Sequence, residues 1–463
     1  MTELNAPRAG RVLTTLNEDG SRCWIRPRVS KGRFYWARLV VGWLLIVLFV
    51  SAPLIRVNGH PLIMLDVEHR QFFLFGATFL ATDTMFLMLF LLVAFLSIFW
   101  FSALVGRVWC GWGCPQTVYM EFVFRPIERF FEGTPSQSKA LDAQGGLHVR
   151  RVAKNAVYLI LAFLLANVFL SYFVGVDQLK IWVTEAPWRH PGGFGVVAVT
   201  SALVFIDFAY FREQMCTVAC PYARLQSVLL DRSSLTIGYD ARRGETRRKK
   251  AKRAENDGSG DCIDCRACVL VCPTGIDIRD GAQLECVACA QCIDACDSIM
   301  DKVGRPRGLI RYASEENLST GKKARLLRPR VVVYPIIIGI LGLLLVASIG
   351  ARSDVEVTIL HGVGAPFVEL DDGQIRNQLR VKVANRASTD RAFTLSVPGL
   401  PPEALLAPQN PLRVPAEEEV TTPVFVTVPS REFKEGKRVI EIEVRDADAF
   451  ETKIQFPLLG PER

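Results

Sequence analysis

The sequence predicts a multi-domain membrane protein. Its parts are a bundle of five transmembrane α-helices, a cysteine-rich α+β domain and a C-terminal all-β immunoglobulin-like sandwich. Three observations carry that prediction: five apolar runs of bilayer-spanning length, two tight cysteine runs in the middle of the chain, and an abrupt change to short alternating stretches after residue 350.

The apolar runs cover residues 37–55, 85–104, 156–174, 194–211 and 331–349. A helix needs roughly 20 apolar residues to cross the hydrocarbon core, and each run supplies about that many. A single such run could be a buried core helix. Five without a soluble-style polar stripe, in a chain that is 50% hydrophobic, point to lipid. Residues 72–80 are apolar but too short to cross, and are expected to form an interfacial or re-entrant piece. The arm at 1–36 is polar, and the run after it is too long for a signal peptide's apolar region, so it is expected to act as an uncleaved anchor.

Lysine and arginine positions set the orientation. The N-terminal arm carries Arg8, Arg11, Arg22, Arg26, Arg28, Lys31 and Arg33. The segment between the second and third runs carries Arg107, Arg125, Arg129, Lys139, Arg150, Arg151 and Lys154. The opposite loops hold only Arg56 and Arg70, then Lys180 and Arg189. The N-terminus and the 212–330 segment are therefore expected inside, and the C-terminus outside. The net charge of +8 is a topology signal by this reasoning. The basic run at 247–253 reads as a solvated linker beside anionic head groups, not as a nucleic-acid site.

Of the 13 cysteines, all but Cys23 fall between Cys110 and Cys296. Clustering of this kind indicates metal ligation in a reducing compartment, not a disulfide scaffold. Within 236–330 stand Cys262-x2-Cys265-x2-Cys268-x3-Cys272-Pro273 and Cys286-x2-Cys289-x2-Cys292-x3-Cys296. Three cysteines at successive x2 spacings wrap one corner of a cubane, and a more distant cysteine closes it. Structural zinc instead prefers two well-separated C-x2-C pairs. The runs predict a bacterial-type two-cluster ferredoxin domain. In such domains the fourth cysteine of each run serves the other cluster, so one [4Fe-4S] cluster takes Cys262, Cys265, Cys268 and Cys296, and the other Cys286, Cys289, Cys292 and Cys272. Asp297 stands where a proline usually follows the last cysteine.

The membrane region at 37–235 contains a weak internal duplication. Runs one and two end in Cys110-x3-Cys114-Pro115, and runs three and four end in Cys216-x3-Cys220-Pro221, with Arg107 and Arg212 just before each pair. The spacing is expected to put both sulfurs of a pair on one helix face, a turn apart. Such thiols could bind a soft metal such as Cu(I), cycle between dithiol and disulfide, or pack. The repetition favours a redox or metal role, and the two arginines are expected to favour thiolate. Cys23 reads as a surface thiol. Asp207 is either functional or snorkelling. His60, His69 and His190 lie on outer loops as weak metal or quinone candidates. No glycine-rich nucleotide fingerprint is present.

After the fifth helix at 331–350, the 351–463 segment gives VEVTIL, QLRVKVAN, RAFTLSV, VTTPVFVTV, RVIEIEV and ETKIQF, separated by turns such as Asp372-Gly373 and Pro398-Gly399. About seven short strands in this length predict an immunoglobulin-like sandwich.

Taken with WCGWGCPQ at 109–116 and MCTVACPY at 215–222, this order of parts resembles the cytochrome c oxidase accessory protein family CcoG, also called FixG or RdxA. The resemblance covers nearly the whole chain. It implies a bacterial inner-membrane protein that reduces Cu(II) to Cu(I) during assembly of a cbb3-type oxidase, working with assembly factors or a copper transporter or chaperone and with an electron donor that the sequence does not name. On that basis Cys110, Cys114, Cys216 and Cys220 are expected to form a copper-handling redox site fed by the two clusters. Two other readings stand beside it: a quinol-linked electron carrier to a periplasmic reductase, and a non-redox copper-binding scaffold.

Overall fold

The computed structural model describes residues 15, 22–57, 59–68, 70–80, 83–145, 148–247, 260–321, 328–387, 389–446 and 450–461. His69 and most of the basic run at 247–253 lie outside them. The chain forms two compact units, one made of 1–56 and 89–343, the other of 57–88 and 344–463.

Among the described residues, five helices are long and apolar enough to cross a membrane: Arg33–Ser51, Thr84–Val105, Val149–Val174, Pro191–Phe211 and Pro329–Gly350. They coincide with the five apolar runs. Their outward faces are leucine, valine, isoleucine and phenylalanine, and no more than 28% of any such window is buried inside the protein. That much bare apolar surface is tolerable only in lipid.

In the first unit the ferredoxin region sits directly on the helices. The helix Gln291–Val303 presents Asp294 to the start of Arg33–Ser51, where its carboxylate accepts the backbone N–H groups of Phe34 and Tyr35 at 3.2 and 2.8 Å. An acidic group here satisfies two of the orphan donors and meets the positive end of the helix dipole. The strand Thr236–Tyr239 pairs antiparallel with Ile310–Ala313 and closes the domain. The polar arm also adheres: Arg28 N–H donates to Leu270 O at 2.8 Å, and Arg26 pairs with Asp142 at 2.6 Å. Arm–domain contacts of this kind carry no periodic signal, so sequence patterning does not show them.

The second unit is a two-sheet sandwich. Gln374–Asn385 lies between Val355–His361 and Glu419–Pro429, with Leu405–Leu406 beyond the latter and Val368–Glu369 also pairing with Gln374–Asn385. The facing sheet runs Leu412–Val414, Arg391–Ser396, Lys437–Arg445, Glu451–Leu459. Alternation puts Leu379, Val381 and Val383 into one dry core with Phe393, Val424, Val426 and Val444. The expected strands are all present, joined by three of only two or three residues.

Residues 72–80 are not a re-entrant piece. They form the strands Gln71–Leu74 and Ala77–Phe79, with Ile63–Asp66 completing a three-stranded sheet. Phe75 and Gly76 take positive φ (52° and 83°) and make the tight turn that alternating aromatics on either side exploit. This sheet belongs with the sandwich. Asp83 is buried in ion pairs with Arg352 and Arg386, and His60 pairs with Glu417 at 2.8 Å. His60 is thereby accounted for as a structural contact, as is His190, which pairs with Glu185 at 2.8 Å and stacks on Trp182.

Candidate iron–sulfur and thiol site

The two C-x2-C-x2-C loops have the same unusual backbone. Asp264 and Arg266 in the first, and Ala288 and Ala290 in the second, all take left-handed φ between 52° and 61°. Each such residue costs about 1–3 kcal/mol, which persists only where the surroundings over-determine it. Alternating hand turns successive backbone N–H groups towards a common concavity, a nest suited to an anionic group. Backbone N–H groups of Ala288 and Gln291 donate to the sulfurs of Cys286 and Cys289, two residues before each.

Two cavities lie within the domain. One is lined by Cys268, Cys272, Cys286, Cys289 and Cys292, the other by Cys262, Cys265, Cys268 and Cys296, so Cys268 lines both. The electrostatic neighbours agree: Cys296 faces Cys262, Cys265 and Cys268, whereas Cys292 faces Cys272, Cys286 and Cys289. Burial pushes the free thiols of Cys268, Cys286 and Cys296 up to about 12. Apolar walls, thiol quartets and inward N–H groups are what a cubane requires of its host. Asp297 is free to differ from proline because its carboxylate accepts the N–H of Gly308 at 2.9 Å and ties the helix to the following loop.

The C-x3-C pairs do not lie on continuous helix faces. Cys110 is in the short helix Val108–Trp112, while Cys114 is extended (ψ 126°) and caps Pro115–Tyr119. Cys216 is in a π-helical turn, Met215–Ala219, and Cys220 is extended (ψ 114°) and caps Pro221–Leu229. The prolines impose this, because a residue before proline is driven out of the α region. Each pair therefore bridges a helix break, and the breaks bring the four thiols together. All six pairwise combinations of Cys110, Cys114, Cys216 and Cys220 interact electrostatically.

Cys110 shares one buried cluster with Val287 and Cys289, against which Cys216 and Tyr222 pack. Gly111 permits this approach: a Cβ there would stand 2.5 Å from Val287 O and 2.8 Å from the Cys289 Cα. Arg38, 1% exposed, donates from Nε to Gly111 O at 2.8 Å, and its Nη1 and Nη2 have no hydrogen-bond partner. Arg38 also lies near enough to draw on Cys289.

The two arginines that precede the pairs diverge. Arg107 is buried beside Cys110, Cys216 and Cys286. Arg212 instead grips Glu128 through two hydrogen bonds of 2.8 Å and does not serve the thiols. Thiolate is not favoured either. Burial outweighs Arg107 and raises Cys110, and it pushes Cys216 up to about 12. Asp207 is engaged by Gln116, whose Nε2 donates to it at 3.1 Å and also to Arg212 O. Arg125, 2% exposed, pairs with Glu121 and Glu213 and donates to Pro273 O at 3.2 Å. One buried cation thus pins the first hairpin, the second hairpin and the Cys272 loop. Sequence patterning missed Arg38 and Arg125, and an arginine inside or beside an apolar run is the only signal that could have flagged them.

Paired cysteine-lined cavities docked on apolar helices define an iron–sulfur electron-transfer protein. Family models agree: a 4Fe-4S dicluster domain matches residues 211–315, a 4Fe-4S binding domain matches 87–133, and the Ig-like fold at the C-terminus of FixG matches 345–461. Nitrogen fixation protein FixG of Rhizobium meliloti is 33% identical over 96% of this chain and 94% of its own length. Protein RdxA of Cereibacter sphaeroides is 36% identical over 81% of this chain and 82% of its own, and protein RdxB of the same organism 33% over 86% and 88%. The chain belongs to the FixG/RdxA family.

Proposed function

We propose that this iron–sulfur protein reduces Cu(II) to Cu(I) at the membrane, in the service of assembling a cbb3-type oxidase. Cys262, Cys265, Cys268 and Cys296 hold one [4Fe-4S] cluster, and Cys272, Cys286, Cys289 and Cys292 the second. The observation that carries the reading is the buried cluster of Cys110, Val287 and Cys289, with Gly111 seated against the 287–289 backbone, which brings a ferredoxin loop up to the hairpin thiols. Ferredoxin-type clusters supply low-potential single electrons when bound, so one-electron reduction of Cu(II) is downhill. The residues around them exclude water, pin the loops and present cations. Copper is substrate here, received from and passed to a transporter, chaperone or assembly factor.

The test is anaerobic. Reduced protein is mixed with Cu(II) and a Cu(I)-specific chelator. The native protein is expected to yield Cu(I) chelate in proportion to its reduced clusters, and a Cys292→Ser variant to fall several-fold. Equal yields from the two would overturn the reading.

The same proposal places the ferredoxin region in the cytoplasm and the sandwich in the periplasm, across a bacterial inner membrane. The lysine and arginine asymmetry supports it. So does the packing of residues 57–88, the first outer loop, with the sandwich. Alkaline phosphatase fused after residue 352 is expected to be active, and fused near residue 245 inactive. The opposite pattern reverses the topology.

A further inference from the structure

We propose that Cys110, Cys114, Cys216 and Cys220 together hold a third iron–sulfur cluster of the cubane class, adjoining the Cys286–Cys292 loop. The inference rests on the clusters of the preceding reading but not on copper being their electron acceptor.

The first argument is local backbone chemistry. The N–H of Gln116, two residues after Cys114, donates to the Cys114 sulfur, and so does that of Thr117. The same two-residue N–H to sulfur bond recurs at Cys286 and Cys289 in the ferredoxin loops. Bonds of this type stabilise a cluster thiolate and help to set its potential. Cys114-Pro115 and Cys220-Pro221 also repeat the Cys272-Pro273 step that ends the first ferredoxin run.

The second argument is spacing. All four thiols neighbour one another, one pair from each hairpin, and Cys110 and Cys216 pack in one cluster. The 4Fe-4S binding model that matches 87–133 reaches only Cys110 and Cys114, two ligands short of a cubane. The second hairpin supplies the missing pair.

The third argument is charge. Arg107 is 5% exposed, its Nε has no hydrogen-bond partner, and it acts on Cys110 and Cys216 at once. A buried cation with an open donor is costly beside neutral thiols. Beside a core that four thiolates make net negative, it is compensated. Loading the site releases the four thiol protons, and the iron and sulfide come from the cell's cluster-assembly chemistry. With the two ferredoxin clusters of the preceding reading, the chain would then hold three.

The test begins with native full-length protein, purified anaerobically and examined for iron, acid-labile sulfide and Mössbauer spectrum. About twelve irons and twelve sulfides per chain, all in cubanes, are expected, four of each per cluster. About eight of each in fully loaded protein would overturn the proposal without touching the two ferredoxin clusters. The Cys110→Ser/Cys114→Ser and Cys216→Ser/Cys220→Ser variants then locate the third cluster. Each is expected to lose about a third of the iron while the remaining reduced-cluster EPR persists. Iron unchanged in both variants, with Cu(I) binding lost, would make the quartet a copper site. Neither changing would make it packing. Failure of Cu(II) reduction in protein that carries twelve irons would sink the preceding reading and leave this one standing.

Discussion

Replacing Gly111 by alanine is expected to separate the hairpin thiols from the ferredoxin loops and to slow Cu(II) reduction by at least tenfold. The added methyl would lie 2.5 Å from Val287 O, 2.8 Å from the Ala288 carbonyl carbon and 2.8 Å from the Cys289 Cα. All three are backbone atoms of a loop held in left-handed conformation at Ala288 and Ala290, so no rotamer change relieves the clash. Overpacking of this sort costs about 1–3 kcal/mol, enough to shift the loop rather than unfold the unit. The Arg38 bond to Gly111 O would move with it. The cluster proposed for Cys262, Cys265, Cys268 and Cys296 does not involve the 287–289 backbone, and its EPR signal is expected to persist. Rate and spectrum are read on the same sample. An undiminished rate would mean that electrons do not leave where Gly111 meets the 287–289 backbone.

How much of this was legible in the sequence varies with the range of the interaction. The five helices were, because apolar runs of that length have few alternatives in water or lipid. The iron–sulfur character of the two cysteine runs was, because successive x2 spacings constrain the chain locally. The sandwich was, because strand alternation is visible one residue at a time. What escaped depends on contacts distant in sequence. Asp294 capping Arg33–Ser51 joins residues 260 apart, and Arg125 reaching Pro273 joins residues 148 apart. The C-x3-C pairs are brought near one another, but not in the expected shape: helical periodicity put both sulfurs of a pair on one face, whereas Pro115 and Pro221 force a break between them. The arginine roles were half legible. Arg107 and Arg212 are equivalent in the duplication, but only Arg107 faces sulfur, since Glu128 is near enough to claim Arg212. Residues 72–80 form strands and not a re-entrant piece because the turn at Phe75-Gly76 folds the apolar stretch back on itself.

The arrangement also explains how a protein with so much lipid-facing surface keeps two sensitive loops fixed. Arg125 is almost fully buried between Glu121, Glu213 and Pro273 O. Removing one partner from such a cluster strands a buried charge and costs about 3–5 kcal/mol. Asp294 adds a second tether from the other side of the domain, through the N-terminus of the first long helix. Both tethers converge on the loops that carry Cys272 and Cys292, so the ferredoxin region is docked on the bundle and not merely linked to it.

The central claim is that these cysteines bind iron–sulfur clusters able to deliver low-potential electrons. The most direct measurement is an anaerobic redox titration of the purified protein, with metal analysis on the same preparation. Zinc would satisfy thiol quartets without any redox activity, so metal identity and electron uptake must be read together. The account predicts iron and acid-labile sulfide in equal amounts, negligible zinc, and [4Fe-4S] EPR signals that appear on reduction at potentials well below that of Cu(II). Stoichiometric zinc, with little iron or sulfide and no signal on reduction, would contradict it.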